Sequence, residues 1–215
     1  MNIPLYQSIV SKLSEKNVTL VAVSKTKPAN EILALYNEGQ KDFGENYVQE
    51  LLEKQNELPN GIRWHFIGHL QSNKAKYIVP FVHLIHSVDS EKLLAEIDKQ
   101  ALKNKKIINC LLQIYIAQEE TKFGLDFSEA EQILINSRYY NVKIIGLMGM
   151  ASNTENTKQI AKEYESLKNF YNKMKATIAP QFQYLSTGMS GDFELAIEHG
   201  SNMVRIGSLL FGARK

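Results

Sequence analysis

The chain has 215 residues, with 25 Lys and Arg against 23 Asp and Glu and a formal charge of +2. Charges spread this evenly exclude a basic stripe for nucleic acid and a charged tail for a membrane surface as the main partner. No apolar run reaches a membrane span, Pro4 and polar residues stand where a signal-peptide core would sit, and the single Cys110 cannot form an internal disulfide, so a cytoplasmic protein is expected.

Apolar runs and helical periodicity alternate along the chain. An amphipathic segment over Leu5–Ser14 precedes a first strand predicted at Thr19–Lys25. A helix over Asn30–Glu38 ends at Gly39, a short strand covers Asp42–Gly44, and a helix over Val48–Leu58 stops at Pro59-Asn60-Gly61. A third strand follows at Arg63–Gly68, then a short helix over Ser72–Ile78, a fourth strand at His83–Val88 and a helix over Glu91–Leu102. The fifth strand is Ile107–Ala117, with Cys110 on an apolar face beside Ile108, Leu112, Ile114 and Ile116, where a thiol is buried filler. A helix over Ser128–Arg138, a strand over Val142–Met148 and a long helix carrying Ile160, Tyr164, Leu167, Tyr171 and Met174 come next. A strand near Tyr184, a helix containing Phe193, Ala196 and Ile197, and a strand over Met203–Gly207 close the chain.

Eight strands separated by helices, with no linker or low-complexity tract, predict one α/β domain over residues 1–215: a (β/α)8 TIM barrel with an extra N-terminal helix. That helix would cover the wall where the last strand lacks room for its own. A doubly wound open sheet is the alternative, because periodicity fixes alternation and not closure.

The working face of such a barrel lies at the C-terminal ends of its strands, with phosphate often held after strands seven and eight. Alternation puts Val21, Val23 and Lys25 on one face, so the Lys25 amine emerges from an apolar wall. There it would lose solvation of its charged form and become a candidate Schiff-base former; against this stands a solvated lysine at a strand end. Ser186-Thr187-Gly188-Met189-Ser190-Gly191 and Gly207-Ser208 supply glycines and hydroxyls in two loops suited to a phosphate cup. The same residues also read as helix caps, Ser190 with Glu194 nearby. Arg205 shares a face with Met203 and Gly207; its guanidinium, always charged and donor only, suits an unprotonated ring nitrogen or a barrel-core ion pair. His65, His69, His83, His86 and His199 show no metal spacing, so no metal is assigned, and Walker, nucleophile-elbow and dinucleotide motifs are missing.

In this order, Ala22-Val23-Ser24-Lys25-Thr26-Lys27-Pro28, Phe43-Gly44-Glu45-Asn46-Tyr47-Val48-Gln49-Glu50, Trp64-His65-Phe66-Ile67-Gly68-His69-Leu70-Gln71-Ser72-Asn73-Lys74, Lys122-Phe123-Gly124, Gly146-Leu147-Met148 and Val204-Arg205-Ile206-Gly207 resemble the pyridoxal phosphate homeostasis protein family. Its barrel is similar to the N-terminal domain of alanine racemase, the type III fold of pyridoxal 5'-phosphate (PLP) proteins. The resemblance implies that Lys25 forms the internal aldimine, that Arg205 faces the pyridine nitrogen and that Asn46 lies beside the cofactor. Ser186, Gly188, Gly207 and Ser208 would bind the phosphate. Thr187 stands where the family often has methionine, and Ser208 where threonine is common; both keep or add a hydroxyl.

Racemases similar to this barrel take a second base from an added domain and a partner subunit, whereas here the barrel accounts for every residue. An open site and an arginine at the ring nitrogen both weaken turnover. The expected function is therefore a monomeric, non-catalytic carrier or buffer of PLP, passing it to PLP-dependent apo-enzymes. A PLP-dependent amino-acid racemase or decarboxylase, with a tyrosine or His65 as second base, and a phosphosugar enzyme in which Lys25 attacks a sugar carbonyl are the competing readings. The loop from Gln118 to Gly124, with Glu119, Glu120 and Lys122, flanks the site or meets a recipient protein, and the sequence does not choose.

Overall fold

Eight parallel strands in sequence order close into a barrel in the computed structural model, which describes residues 2–118, 123–136 and 138–212. The order is α1 (Ile3–Glu15), β1 (Thr19–Val23), α2 (Ala29–Asn37), β2 (Asp42–Glu45), α3 (Val48–Glu57), β3 (Arg63–Phe66), α4 (Ala75–Ile78), β4 (Leu84–Val88), α5 (Glu91–Lys103) and β5 (Ile108–Ile114). It continues with α6 (Phe127–Ile135), β6 (Val142–Gly149), α7 (Thr157–Thr177), β7 (Tyr184–Ser186), α8 (Phe193–Glu198), β8 (Met203–Ile206) and α9 (Ser208–Phe211). Closure is direct: β1 pairs with β8 from Thr19 opposite Met203 to Ala22 opposite Ile206, so the open-sheet alternative falls.

Period-two alternation sorts each strand between two cores. Outward residues such as Ala22, Phe43, Trp64, Ile85 and Val204 join the large apolar layer beneath the helices. Inward residues Val21, Leu84, Leu111, Ile145, Met148 and Met203 form a smaller cluster inside the barrel. The helices present matching stripes; α5 buries Leu93, Leu94, Ile97 and Ala101, each large side chain contributing about 1.5–3 kcal/mol. Side chains fix where helices begin. Asn2 accepts from the Leu5 N–H, Ser90 accepts from the Leu93 N–H, and Asp126 with Glu129 forms a reciprocal capping box.

Cys110 is fully buried, and that burial pushes its thiol pKa far up, as expected of filler. The first strand stops at Val23 rather than Lys25, because Lys27 N–H closes a turn on Ser24 O and Thr26 takes a left-handed φ of 63°. Ser190 is no helix cap: Asp192 stands at the start of α8, and Ser190 Oγ instead accepts from the Gly207 N–H at 3.2 Å. The one-turn α9, too short to leave a periodic pattern, follows β8, and the Asn2 N–H of the first helix donates to Leu210 O there. No helix of the described residues is long and apolar enough to cross a membrane.

Candidate functional site

The segments that follow β1, β2, β3, β6, β7 and β8 meet at one end of the barrel around a cavity of about 290 Å³. Lys25, Asn46, Arg205, Gly207 and Ser208 all line it, five of the seven residues singled out from sequence. Lys27, Ile67, Met150, Met189, Ser190, Gly191 and Gly212 complete the wall with Val23. Ser186 and Gly188 do not line it. Ser186 is the last residue of β7, wholly buried below the mouth, and the loop rises past it before Ser190 and Gly191 reach the cavity. Gly188 has a φ of 86°, and a Cβ there would lie 2.6 Å from Ala196 Cβ, so it is a turn residue pressed against α8. Glu119, Glu120 and Lys122 lie outside the described residues.

Lys25 is half-buried, and the turn that carries it is fastened from outside the barrel. Lys54 Nζ, on α3, donates to Ser24 O at 2.7 Å, Glu45 Oε1 at 2.8 Å and Glu50 Oε1 at 2.6 Å. Ser24 Oγ donates to the same Glu45 oxygen at 2.6 Å, and the Thr26 N–H donates to Glu50. Burial raises the Glu45 pKa, although Lys54 pulls against it. Asn46 follows at the end of β2, its Oδ1 buried with no hydrogen-bond partner among the described residues, an acceptor left over at the cavity wall. Gly68 makes room for it: a Cβ there would sit 2.2 Å from Asn46 O.

Arg205 is fastened from within. Nη1 donates to Ser186 O at 2.8 Å and Ser186 Oγ at 2.7 Å, and Nη2 donates to Gly149 O at 3.1 Å. Burial lowers its pKa, which the Tyr164 hydroxyl and Asp192 oppose. Behind Ser186 the polar contacts continue through the barrel. Ser186 Oγ lies 3.2 Å from His86 Nδ1, His86 Nε2 lies 2.9 Å from His65 Nδ1, and His65 Nε2 lies 2.9 Å from Asp42 Oδ1. Arg63 closes the far end on both Asp42 oxygens, its Nε 2.7 Å from Oδ1. Burial would raise the Asp42 pKa, but hydrogen bonds from His65 and Arg63 bring it down to about 2.

Sequence spacing hid that Asp42, His65 and His83 place ligand atoms within 4.8 Å of one another. With Arg63 already across the carboxylate, a cation there would meet a fixed positive charge, and we assign no metal.

Known proteins share this barrel in sequence and in fold. Residues 6–215 match the family model described as alanine racemase, N-terminal domain. A pyridoxal phosphate homeostasis protein of Aquifex aeolicus is 40% identical over 203 residues, covering 94% of this chain and 89% of the relative. The solved structure of PipY from Synechococcus elongatus without PLP superposes with a TM-score of 0.92 at 35% identity, over 97% of this chain and 99% of that one. PipY with PLP bound gives 0.87 at 34% identity, over 97% and 100%. The chain belongs to the pyridoxal phosphate homeostasis protein family.

Proposed function

We propose that this protein binds PLP in the mouth cavity, attached reversibly through Lys25, and that it carries and buffers the cofactor without transforming amino acids. The observation that carries this reading is one cavity lined by the Lys25 amine, the Arg205 guanidinium and the Ser190-Gly191 and Gly207-Ser208 loops. Family membership and the PLP-bound PipY relative support it. When bound, the cofactor supplies an aldehyde that condenses with a primary amine, losing water, and is released when water returns.

The residues fit such a guest. Lys25 presents the amine from a fastened turn. Arg205 would meet the ring nitrogen as a donor, which would keep that nitrogen unprotonated and the ring a poor electron sink. Asn46 Oδ1 offers its unmatched acceptor to a polar edge of the ring. Ser190, Gly191, Gly207 and Ser208 take the phosphate, with Ser186 and Gly188 acting one layer behind: Ser186 holds Arg205, and Gly188 O accepts the Arg205 backbone N–H at 3.0 Å. Deprotonation on both faces of an amino acid needs a base across from the lysine. Among the described residues the cavity wall offers no carboxylate, histidine or tyrosine for that role. Delivery to cytoplasmic apo-enzymes by a monomeric barrel completes the proposal.

Reducing the cofactor-loaded protein with borohydride and mapping the modified peptide tests it. A pyridoxyl adduct on Lys25 that vanishes in Lys25→Ala, with weaker phosphate-anchored binding retained, is expected. An adduct at another residue, or an unchanged visible band in Lys25→Ala, overturns the lysine assignment, and interconversion of D- and L-amino acids overturns the non-catalytic reading.

A further inference from the structure

The polar row inside the barrel has one arrangement of protons that leaves no group unmatched. Asp42, ionised, only accepts, and Arg205 only donates. Between them stand two imidazoles and a hydroxyl, each able to do both. His65 Nε2 must therefore carry the hydrogen that meets Asp42 Oδ1 at 2.9 Å. If His65 Nδ1 is bare, it accepts from His86 Nε2–H, His86 Nδ1 then accepts from the Ser186 hydroxyl, and Ser186 Oγ accepts from Arg205. If His65 carried a second proton instead, the direction would reverse at His86. Ser186 Oγ would then receive hydrogens from both His86 and Arg205, and its own would meet no acceptor among the described residues. Only the first arrangement satisfies every buried atom.

We propose that Asp42, His65 and His86 are positioning residues for the cofactor site. By fixing the tautomers of both histidines and turning the Ser186 lone pair toward Arg205, they lock the guanidinium, from the opposite end of the barrel, in the orientation it presents to the cavity. This rests on the reading that Arg205 meets the cofactor ring, although the row is complete without a ligand. The groups facing His86 are His65, His83 and Arg205; burial first, and then the fixed Arg205 charge, lower its pKa, and among the described residues no carboxylate faces it. Asp42 acts through proton placement rather than long-range attraction, since Arg63 already balances its charge.

Nitrogen-15 NMR of the cofactor-free protein tests the chain directly. Both His65 and His86 are expected neutral with hydrogen on Nε2 at neutral pH; an imidazolium or an Nδ1–H tautomer at either overturns the proposal. In His65→Leu, His86 should lose its single tautomer and the Arg205 Nη hydrogens should exchange about tenfold faster, as for the loss of one buried hydrogen bond. His65→Gln, which can still donate to Asp42 and accept from His86, should restore both. Arg205 exchange unchanged in His65→Leu overturns the proposal, and if that variant fails to fold the wild-type tautomers decide. In loaded protein, His65→Leu should shift the visible band in the direction of Arg205→Lys but less far. A band that moves in Arg205→Lys alone overturns the long-range role. A band that moves in neither counts against the cofactor reading, and the cofactor-free tautomers still decide the chain.

Discussion

Lys25 and Arg205 face the same cavity but are held from opposite sides of the barrel wall by unlike means. Outside, Lys54, Glu45 and Glu50 form a buried ionic cluster that grips the backbone on either side of Lys25. Inside, a row dominated by neutral side chains reaches Arg205, with the Arg63–Asp42 ion pair at its far end. An ionic cluster resists bending of a turn, which a lysine needs if it is to take up and release a partner from a fixed place. A neutral row orients a guanidinium without cancelling its charge. The difference teaches that the fold separates holding a backbone still from setting the direction of a charged donor.

The comparison breaks most visibly on its outer side. Lys54→Met leaves buried Glu45 without its cation and should cost about 3–5 kcal/mol in denaturant unfolding. Adding Glu45→Gln should recover much of that, because both charges are then gone. If the double variant is no more stable than the single, the cluster is not held together by charge. Gly68→Ala pushes a methyl group against Asn46 O and should cost about 1–3 kcal/mol, with weaker cofactor binding because Asn46 moves. Calorimetry with and without PLP reads both effects.

On the inner side, acid supplies the probe. The folded-state pKa of Asp42 lies near 2, below the 3.8 of the free side chain, so between these values the unfolded chain binds more protons. Its contribution, about 2 kcal/mol, is present above pH 3.8 and fades as pH falls through 2. Asp42→Asn should flatten this part of the acid unfolding curve; an unaltered curve would mean that other carboxylates carry it. Ser190→Ala should have the smallest effect. Losing the hydroxyl that receives the Gly207 N–H should weaken PLP binding by about fivefold to tenfold, or about 1 kcal/mol, with little change in thermal stability.

The barrel and most of the mouth were legible because strand parity is a local signal. Val21 and Val23 point inward, and Lys25 follows them to the cavity; Met203 and Arg205 do the same on β8. Depth was not legible. Ser186 and Ser190 belong to one small-residue run, and only the end of the three-residue β7 tells which of them is plugged inside and which reaches the mouth. The interior row escaped notice for another reason. Asp42, His65, His86 and Ser186 come from four strands, so no short-range spacing joins them; their shared inward parity was the available signal, and it matters only once the sheet closes.

The buried Cys110 has a practical consequence. Its thiol, sealed beneath the helices, should ignore maleimides while the protein stays folded. A cysteine introduced at exposed Tyr47, next to Asn46, would then be the sole reactive handle, and a fluorophore attached there would report loading and unloading of the mouth in real time.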